Sequence, residues 1–174
     1  MIYISIGSNL GHRLHYLQTA LSLLIQNDIT IVKTSPIIET EALLKPGAPA
    51  DWNKPYFNMV VAVTSPHPVE TLLAILKKIE QQMGRNLSDV RWAPRIIDLD
   101  ILLMDDQILD IPSCTIPHAE LLNRPFLLHL LALIAPDLIY PHTGENFAAI
   151  AARKNITAPE KSLVAFPKFM GIVK

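Results

Sequence analysis

The chain has 174 residues, half of them hydrophobic, with 15 basic and 16 acidic residues and a formal net charge of -1. That length and apolar fraction fit one globular domain with a real core, and the charge balance excludes a general basic field for steering onto DNA or RNA. A single cysteine, Cys114, excludes an internal disulfide framework or a cysteine-based zinc cluster and fits a reducing cytoplasm, while the apolar runs are too short to span a bilayer and the first residues lack a signal-peptide pattern.

Taken in chain order, Ile2 to Ile6 reads as a buried strand that enters a helix through the turn residues Gly7-Ser8-Asn9-Leu10-Gly11. Leu14, Leu17, Leu21 and Leu24 recur at helical spacing and predict a helix over about 13–26 that buries this stripe. The β-branched run Ile29 to Thr40 predicts one strand, with Pro36 placing a bulge or an edge within it. Glu41 to Pro55 is unusually long for a connection between strands, and such loops are often functional lids. Phe57 to Thr64 predicts a strand, and Leu72, Leu76, Ile79 and Met83 a helix opened near Pro68 and stopped by Gly84. Ile97 to Met104 predicts the next strand, Gln107 to Leu109 a short one, and Pro125 to Ala135 a further helix; past Pro141 the pattern weakens. The order β-α-β-β-α-β is that of an α+β, ferredoxin-like fold, an antiparallel sheet with both helices on one face, here with an extra C-terminal hairpin and helices.

Chemistry concentrates between Arg85 and Asp100, where Arg85, Arg91, Trp92 and Arg95 precede Asp98 and Asp100. Alternate side chains of a strand share a face, so Asp98 and Asp100 form a chelate for a hard cation, and Mg2+ takes one or two carboxylates together with waters and substrate phosphates. The arginines are suited to grip phosphates; pairing them with the aspartates for structural reasons is the alternative. Trp92 reads either as a core residue or as a flap over a planar ligand. No glycine-rich phosphate loop of the Gly-x-x-x-x-Gly-Lys-Ser/Thr type and no protein-kinase signature occurs, so a phosphate grip falls to side chains, to which His118 and Arg124 add two donors. Tyr56, Phe57 and Asn58 set aromatic faces and an amide at the start of a strand, as a flat heterocycle requires, and Phe126 offers an opposing face. His12 and His15 read as surface residues.

Together, Ile6-Gly7-Ser8-Asn9-Leu10-Gly11, Phe57-Asn58, Glu80 through Gly84-Arg85, Arg91-Trp92-Ala93-Pro94-Arg95, Ile97-Asp98-Leu99-Asp100, and Ile116-Pro117-His118 followed by Asn123-Arg124 resemble the 6-hydroxymethyl-7,8-dihydropterin pyrophosphokinase family, in family order over roughly Met1 to Pro141. The resemblance implies transfer of pyrophosphate from ATP to a pterin hydroxymethyl group in folate biosynthesis. It implies Asp98 and Asp100 as ligands of two Mg2+ ions, Arg85 and Arg95 as catalytic arginines on the transferring group, and His118 and Arg124 at the ATP phosphates. Glu80 is similar to the residue near the ATP ribose. Tyr56 and Phe126 resemble the pair that stacks on the pterin, Asn58 the amide that reads its edge, and Trp92 the loop lid.

Three departures stand out: Leu87 where many members carry a second arginine, Ala119 in place of a tyrosine, and a longer loop from Leu44 to Pro55. The expected organisation is a pyrophosphokinase domain over 1–150 and an extension or linker over 151–174. Phe169-Met170-Gly171-Ile172-Val173 resembles the opening strand of dihydropteroate synthase, which implies a fused second domain. The expected partners are ATP and the pterin, with no nucleic acid and no membrane, in the cytoplasm. The rivals are a ferredoxin-like nucleic-acid-binding module, against which the balanced charge and missing aromatic motif argue, and a sensor that binds ATP and transfers nothing.

Overall fold

Two strands of strict alternation set the architecture. In β1 (Ile2–Ser8), Ile2, Ile4 and Ile6 are buried on one face and Tyr3 on the other, and in β4 (Tyr56–Thr64), Met59, Val61 and Val63 oppose Val60 and Ala62. A sheet apolar on both faces needs a layer on each. The computed structural model describes residues 1–44, 46–86 and 92–156, and the backbone of 162–163. It supplies those layers with α1 (Arg13–Gln26) and α2 (Val69–Gln82) on one face, and α3 (Pro125–Ile134) and α4 (Phe147–Arg153) on the other.

The remaining strands are β2 (Thr30–Thr34), β3 (Ile37–Thr40) and β5 (Asp98–Met104), then the hairpin β6 (Leu109–Ile111) and β7 (Cys114–Ile116), and β8 (Ser162–Leu163). The main sheet runs β5-β1-β4-β3-β8, with β2 also paired to β4 and every pairing antiparallel. This is the expected ferredoxin-like order. The run Ile29 to Thr40 folds as two strands because Pro36 interrupts it; across the gap the Ser35 hydroxyl accepts from the Val60 backbone N–H at 2.9 Å. Opposite the Tyr3–Ile4 step of β1, β5 carries one extra residue, Leu102, which shifts the register and leaves the Asp98 end regular, with Gly7 opposite Asp98 and Ser5 opposite Asp100.

Several expectations shift. Leu14 is exposed rather than part of the buried stripe, because at the first turn of α1 the helix already projects past the sheet; Leu17, Leu21 and Leu24 are buried as predicted. The short strand expected at 107–109 lies at Leu109–Ile111, because Asp105 adopts a left-handed φ of 51° and Gln107 N–H bonds back to Met104 C=O, which extends the turn. The helix α4 was not legible: its seven residues carry four alanines and little periodicity. It is fixed by Phe147 and Ile150 packing beside α3, and by Asn146, whose side chain accepts from the Ala149 N–H at 2.7 Å. Asn146→Ala is expected to lower stability by about 1 kcal/mol, the usual worth of an N-cap, read from the urea midpoint at unchanged slope. Leu87 and Arg91 lie outside the described residues, as do Phe169 to Val173.

Candidate active site

The α3/α4 face of the sheet is apolar at one end, around Tyr3, Val60, Leu102 and Leu103, and polar at the other. There the same alternation that buries Leu99 and Ile101 beneath α1 and α2 turns Asp98 and Asp100 outward, beside Ser5, Gly7 and Asn58. These residues floor a cleft of about 270 Å³. Its walls come from Thr40 to Leu43 after β3, Tyr56 at the start of β4, Lys77 on α2, the segment with Arg85, Trp92 and Arg95, and Arg124 and Phe126 at the start of α3. Of the eleven sequence candidates, nine line this cleft: Tyr56, Asn58, Arg85, Trp92, Arg95, Asp98, Asp100, Arg124 and Phe126.

Gly7 makes the floor possible. It sits between Asn58 and Asp98 in the ladder, and a Cβ there would lie 2.8 Å from Asn58 Oδ1. The Asn58 amide is held open to the cleft by donating to Thr40 Oγ1 at 2.7 Å. Gly7→Ala is therefore expected to push the amide off its partner and weaken binding of the planar substrate by about tenfold, roughly one lost hydrogen bond, with little change in melting temperature. Fluorescence titration with a planar heterocycle as the probe checks this.

The acidic pair is asymmetric. Asp98 Oδ1 accepts from Arg85 Nη1 at 2.6 Å and Oδ2 from Arg95 Nη1 at 3.3 Å. Burial would raise its pKa, but the guanidiniums of Arg95 and Arg85 and the Lys77 ammonium hold it below the ordinary aspartate value. Among the described residues Asp100 has no such clamp: its nearest nitrogen partners are Lys77 Nζ and His118 Nε2, each at 4.0 Å. Burial, together with the negative charge of Asp98, pushes its pKa up. The sequence left open whether the arginines pair with the aspartates, and Arg85 and Arg95 do so through Asp98.

His118 is fixed by its backbone N–H on Leu102 C=O at 2.9 Å, and its Nδ1 accepts from the Glu120 N–H at 3.1 Å. That bond leaves the ring proton on Nε2, the atom facing Asp100, and burial lowers the histidine pKa against the pull of Asp100. Tyr56 is half-buried beside Arg95, and desolvation raises its phenol pKa. Trp92 takes a left-handed φ of 78°, a conformation that bulky side chains rarely adopt, and lines the cleft from the end of its loop.

Glu80 sits elsewhere. Its side chain is fully buried under the floor, not in the cleft wall, and it ties elements together: Oε1 accepts from Arg85 Nη1 at 2.5 Å, from the Leu99 N–H at 2.7 Å and from Lys77 Nζ at 3.1 Å. Burial raises its pKa, opposed by Lys77, the Leu99 N–H and Arg85. Gly84, with φ 94°, stops α2 and turns the chain so that Arg85 folds back over this carboxylate.

Two participants escaped the sequence reading. Asn9 accepts from the Arg95 N–H through Oδ1 at 2.7 Å, donates its own N–H to Arg95 C=O at 3.2 Å, and donates Nδ2–H to Lys54 C=O at 3.3 Å. One buried amide thus joins the first loop, the end of the long loop and the hinge at Arg95. Lys77 is the other, and its helical position three residues before Glu80 was the available signal.

The donor set bears on a metal. No group of three His, Cys, Asp or Glu side chains able to hold an ion occurs among the described residues. Two adjacent carboxylates without a protein cage suit Mg2+, which keeps waters and takes substrate phosphates as ligands. Among the described residues no helix is long and apolar enough to cross a membrane.

Comparisons with known proteins bear on the family and the fold. The family model for 7,8-dihydro-6-hydroxymethylpterin-pyrophosphokinase (HPPK) matches residues 3–136. A folate synthesis bifunctional protein of Chlamydia caviae is 38% identical over 146 residues, covering 84% of this chain and 33% of the relative. The 2-amino-4-hydroxy-6-hydroxymethyldihydropteridine pyrophosphokinase of Pseudomonas aeruginosa is 38% identical over 152 residues, covering 85% of this chain and 90% of that protein. The chain spans a third to two fifths of the length of the chlamydial bifunctional relatives, at 33% to 40%. Wild-type Plasmodium falciparum HPPK-DHPS solved with pteroate shares the fold, with a TM-score of 0.64 at 15% identity over 88% of this chain and 42% of that one.

Proposed function

We propose, from the premise that the chain belongs to the 7,8-dihydro-6-hydroxymethylpterin-pyrophosphokinase family, that it transfers pyrophosphate from ATP to 6-hydroxymethyl-7,8-dihydropterin. The hydroxymethyl oxygen attacks the β-phosphorus, a new P–O bond forms, the bond to the α–β bridging oxygen breaks, and AMP leaves. The observation that carries this reading is one cleft with a carboxylate-guanidinium cluster at one side and an aromatic-amide cluster, Tyr56, Asn58 and Phe126, at the other.

Asp98 and Asp100 would hold two Mg2+ ions, which when bound neutralise phosphate charge and polarise the transferring group. Arg85 and Arg95, released from Asp98 as phosphates arrive, grip the transferring phosphoryl oxygens, and His118 Nε2–H and Arg124 reach the remaining phosphates. Tyr56 and Phe126 sandwich the pterin and Asn58 bonds its edge. Trp92 closes over the pair and excludes water that would otherwise hydrolyse ATP. Such transfer is mainly positioning and charge neutralisation, so no covalent protein intermediate is required.

The bifunctional relatives and the apolar string at 169–173 support a continuation into a dihydropteroate synthase domain behind a linker that starts after Arg153 rather than at 151, because α4 with its buried Ala151 carries the domain across the expected boundary. Backbone pairing of Ser162–Leu163 with Ile37 and Ile38 draws part of that segment onto the sheet edge. A lone half-buried cysteine and ATP as substrate support a cytoplasmic location. The test incubates the protein with Mg2+, ATP and hydroxymethyl-dihydropterin and follows AMP and pterin pyrophosphate. Pterin-dependent AMP is expected; ATP binding without it would favour the sensor, and neither would end the proposal.

A further inference from the structure

We propose that Lys77 is a positioning residue of the metal pair: its ammonium is a resident cation beside Asp100 that keeps divalent ions off the nucleotide-free cleft and lets them bind with nucleotide. This rests on the assignment of Asp98 and Asp100 as metal ligands.

Lys77 reaches the cluster from α2. Its Nζ lies 3.1 Å from each Glu80 oxygen, 3.3 Å from Leu99 C=O and 4.0 Å from Asp100 Oδ1, and its side chain, about a third exposed at 34%, borders the cleft. The other permanent charges are engaged differently: Arg85 and Arg95 close on Asp98, and Arg124 stands farther out on the cleft wall. His118 Nε2 also lies 4.0 Å from Asp100, but an imidazole, unlike an ammonium, is not a permanent cation. Among the described residues Lys77 is thus the permanent cation nearest the less-clamped carboxylate.

The consequence follows from the charge count. Glu80, Asp98 and Asp100 are matched by Lys77, Arg85 and Arg95, so a divalent ion entering alone meets a cluster already neutralised. A nucleotide brings several negative charges of its own and reverses the balance. Lysine suits this role better than arginine would, being a compact ammonium on a flexible stem without a planar fork to lock it in place. Glu80 and Leu99 C=O hold it ready to retreat by a bond rotation rather than into solvent.

The probe is Mn2+, titrated by loss of the free-ion electron paramagnetic resonance signal, without and with an ATP analogue carrying a methylene between the α- and β-phosphorus. Lys77→Met is expected to bind Mn2+ about tenfold or more tightly than the parent without nucleotide, with the difference shrinking when the analogue is present. Lys77→Arg, which keeps the charge, should stay within about threefold of the parent on the same electrostatic ground. A purely structural role would move the melting temperature and leave this difference absent. Equal Mn2+ affinity in Lys77→Met and parent, or an Lys77→Arg protein as tight as Lys77→Met, overturns the role of Lys77 alone. Failure of every protein to bind Mn2+ even with the analogue overturns the metal-site reading together with it.

Discussion

Turnover in Asp98→Ala and in Asp100→Ala is expected to fall by about a hundredfold to a thousandfold or more, the range for removing a group that stabilises charge at a reacting centre. Yet the two variants should shift stability in opposite directions. Asp98 satisfies guanidiniums at 2.6 and 3.3 Å, so its loss leaves Arg85 and Arg95 short of a counter-charge and the protein less stable. Asp100 is desolvated beside a like charge with no cation among the described residues nearer than 4.0 Å, so its loss relieves repulsion. Single-turnover kinetics beside metal-free thermal melts check both parts. Near-normal turnover in either variant removes that residue from the metal pair, and equal melting shifts remove the asymmetry.

Glu80 carries the second large effect, and it is one of architecture. Glu80→Gln preserves shape but replaces an acceptor of three donors with an amide that presents its own N–H groups to Lys77 and Arg85. Lys77 is a third exposed and turns outward to water, and Arg85 retains Asp98, which moderates the loss; the buried Leu99 N–H has no such escape. A destabilisation of about 3 kcal/mol is expected, at the low end for breaking a buried ion pair. Urea unfolding at constant slope reads it. Turnover falls as well, because Arg85 loses the anchor that sets its height over Asp98. A loss well under about 1 kcal/mol would show that the carboxylate is not holding α2 to β5.

The alternation in β1, β4 and β5 and the glycine after Met83 made the sheet, both long helices and the paired aspartates legible, because each of those signals is local. What stayed hidden depends on contacts distant in sequence. The position of Glu80 beneath the floor requires knowing that Leu99 N–H crosses its path, 19 residues on, and the Asn9 knot joins residues 86 positions apart. Leu14 matched the helical period but sits where the sheet has ended, so periodicity predicted a face without predicting how far its cover extends. The helix α4 depends on a cap and one phenylalanine, too little for a pattern in seven residues.

The strand β5 reads out two codes at once. Its odd-numbered members, Leu99 and Ile101, are fully or almost fully buried, whereas Asp98 and Asp100 open to the cleft. A slip by one position would drive both carboxylates into hydrocarbon while exposing leucine and isoleucine, so the core acts as a proofreader of catalytic alignment. Any such slip carries its cost in the fold itself. The extra residue, Leu102, lies downstream of both aspartates along β5, and so confines slack in the ladder to the end away from the cleft.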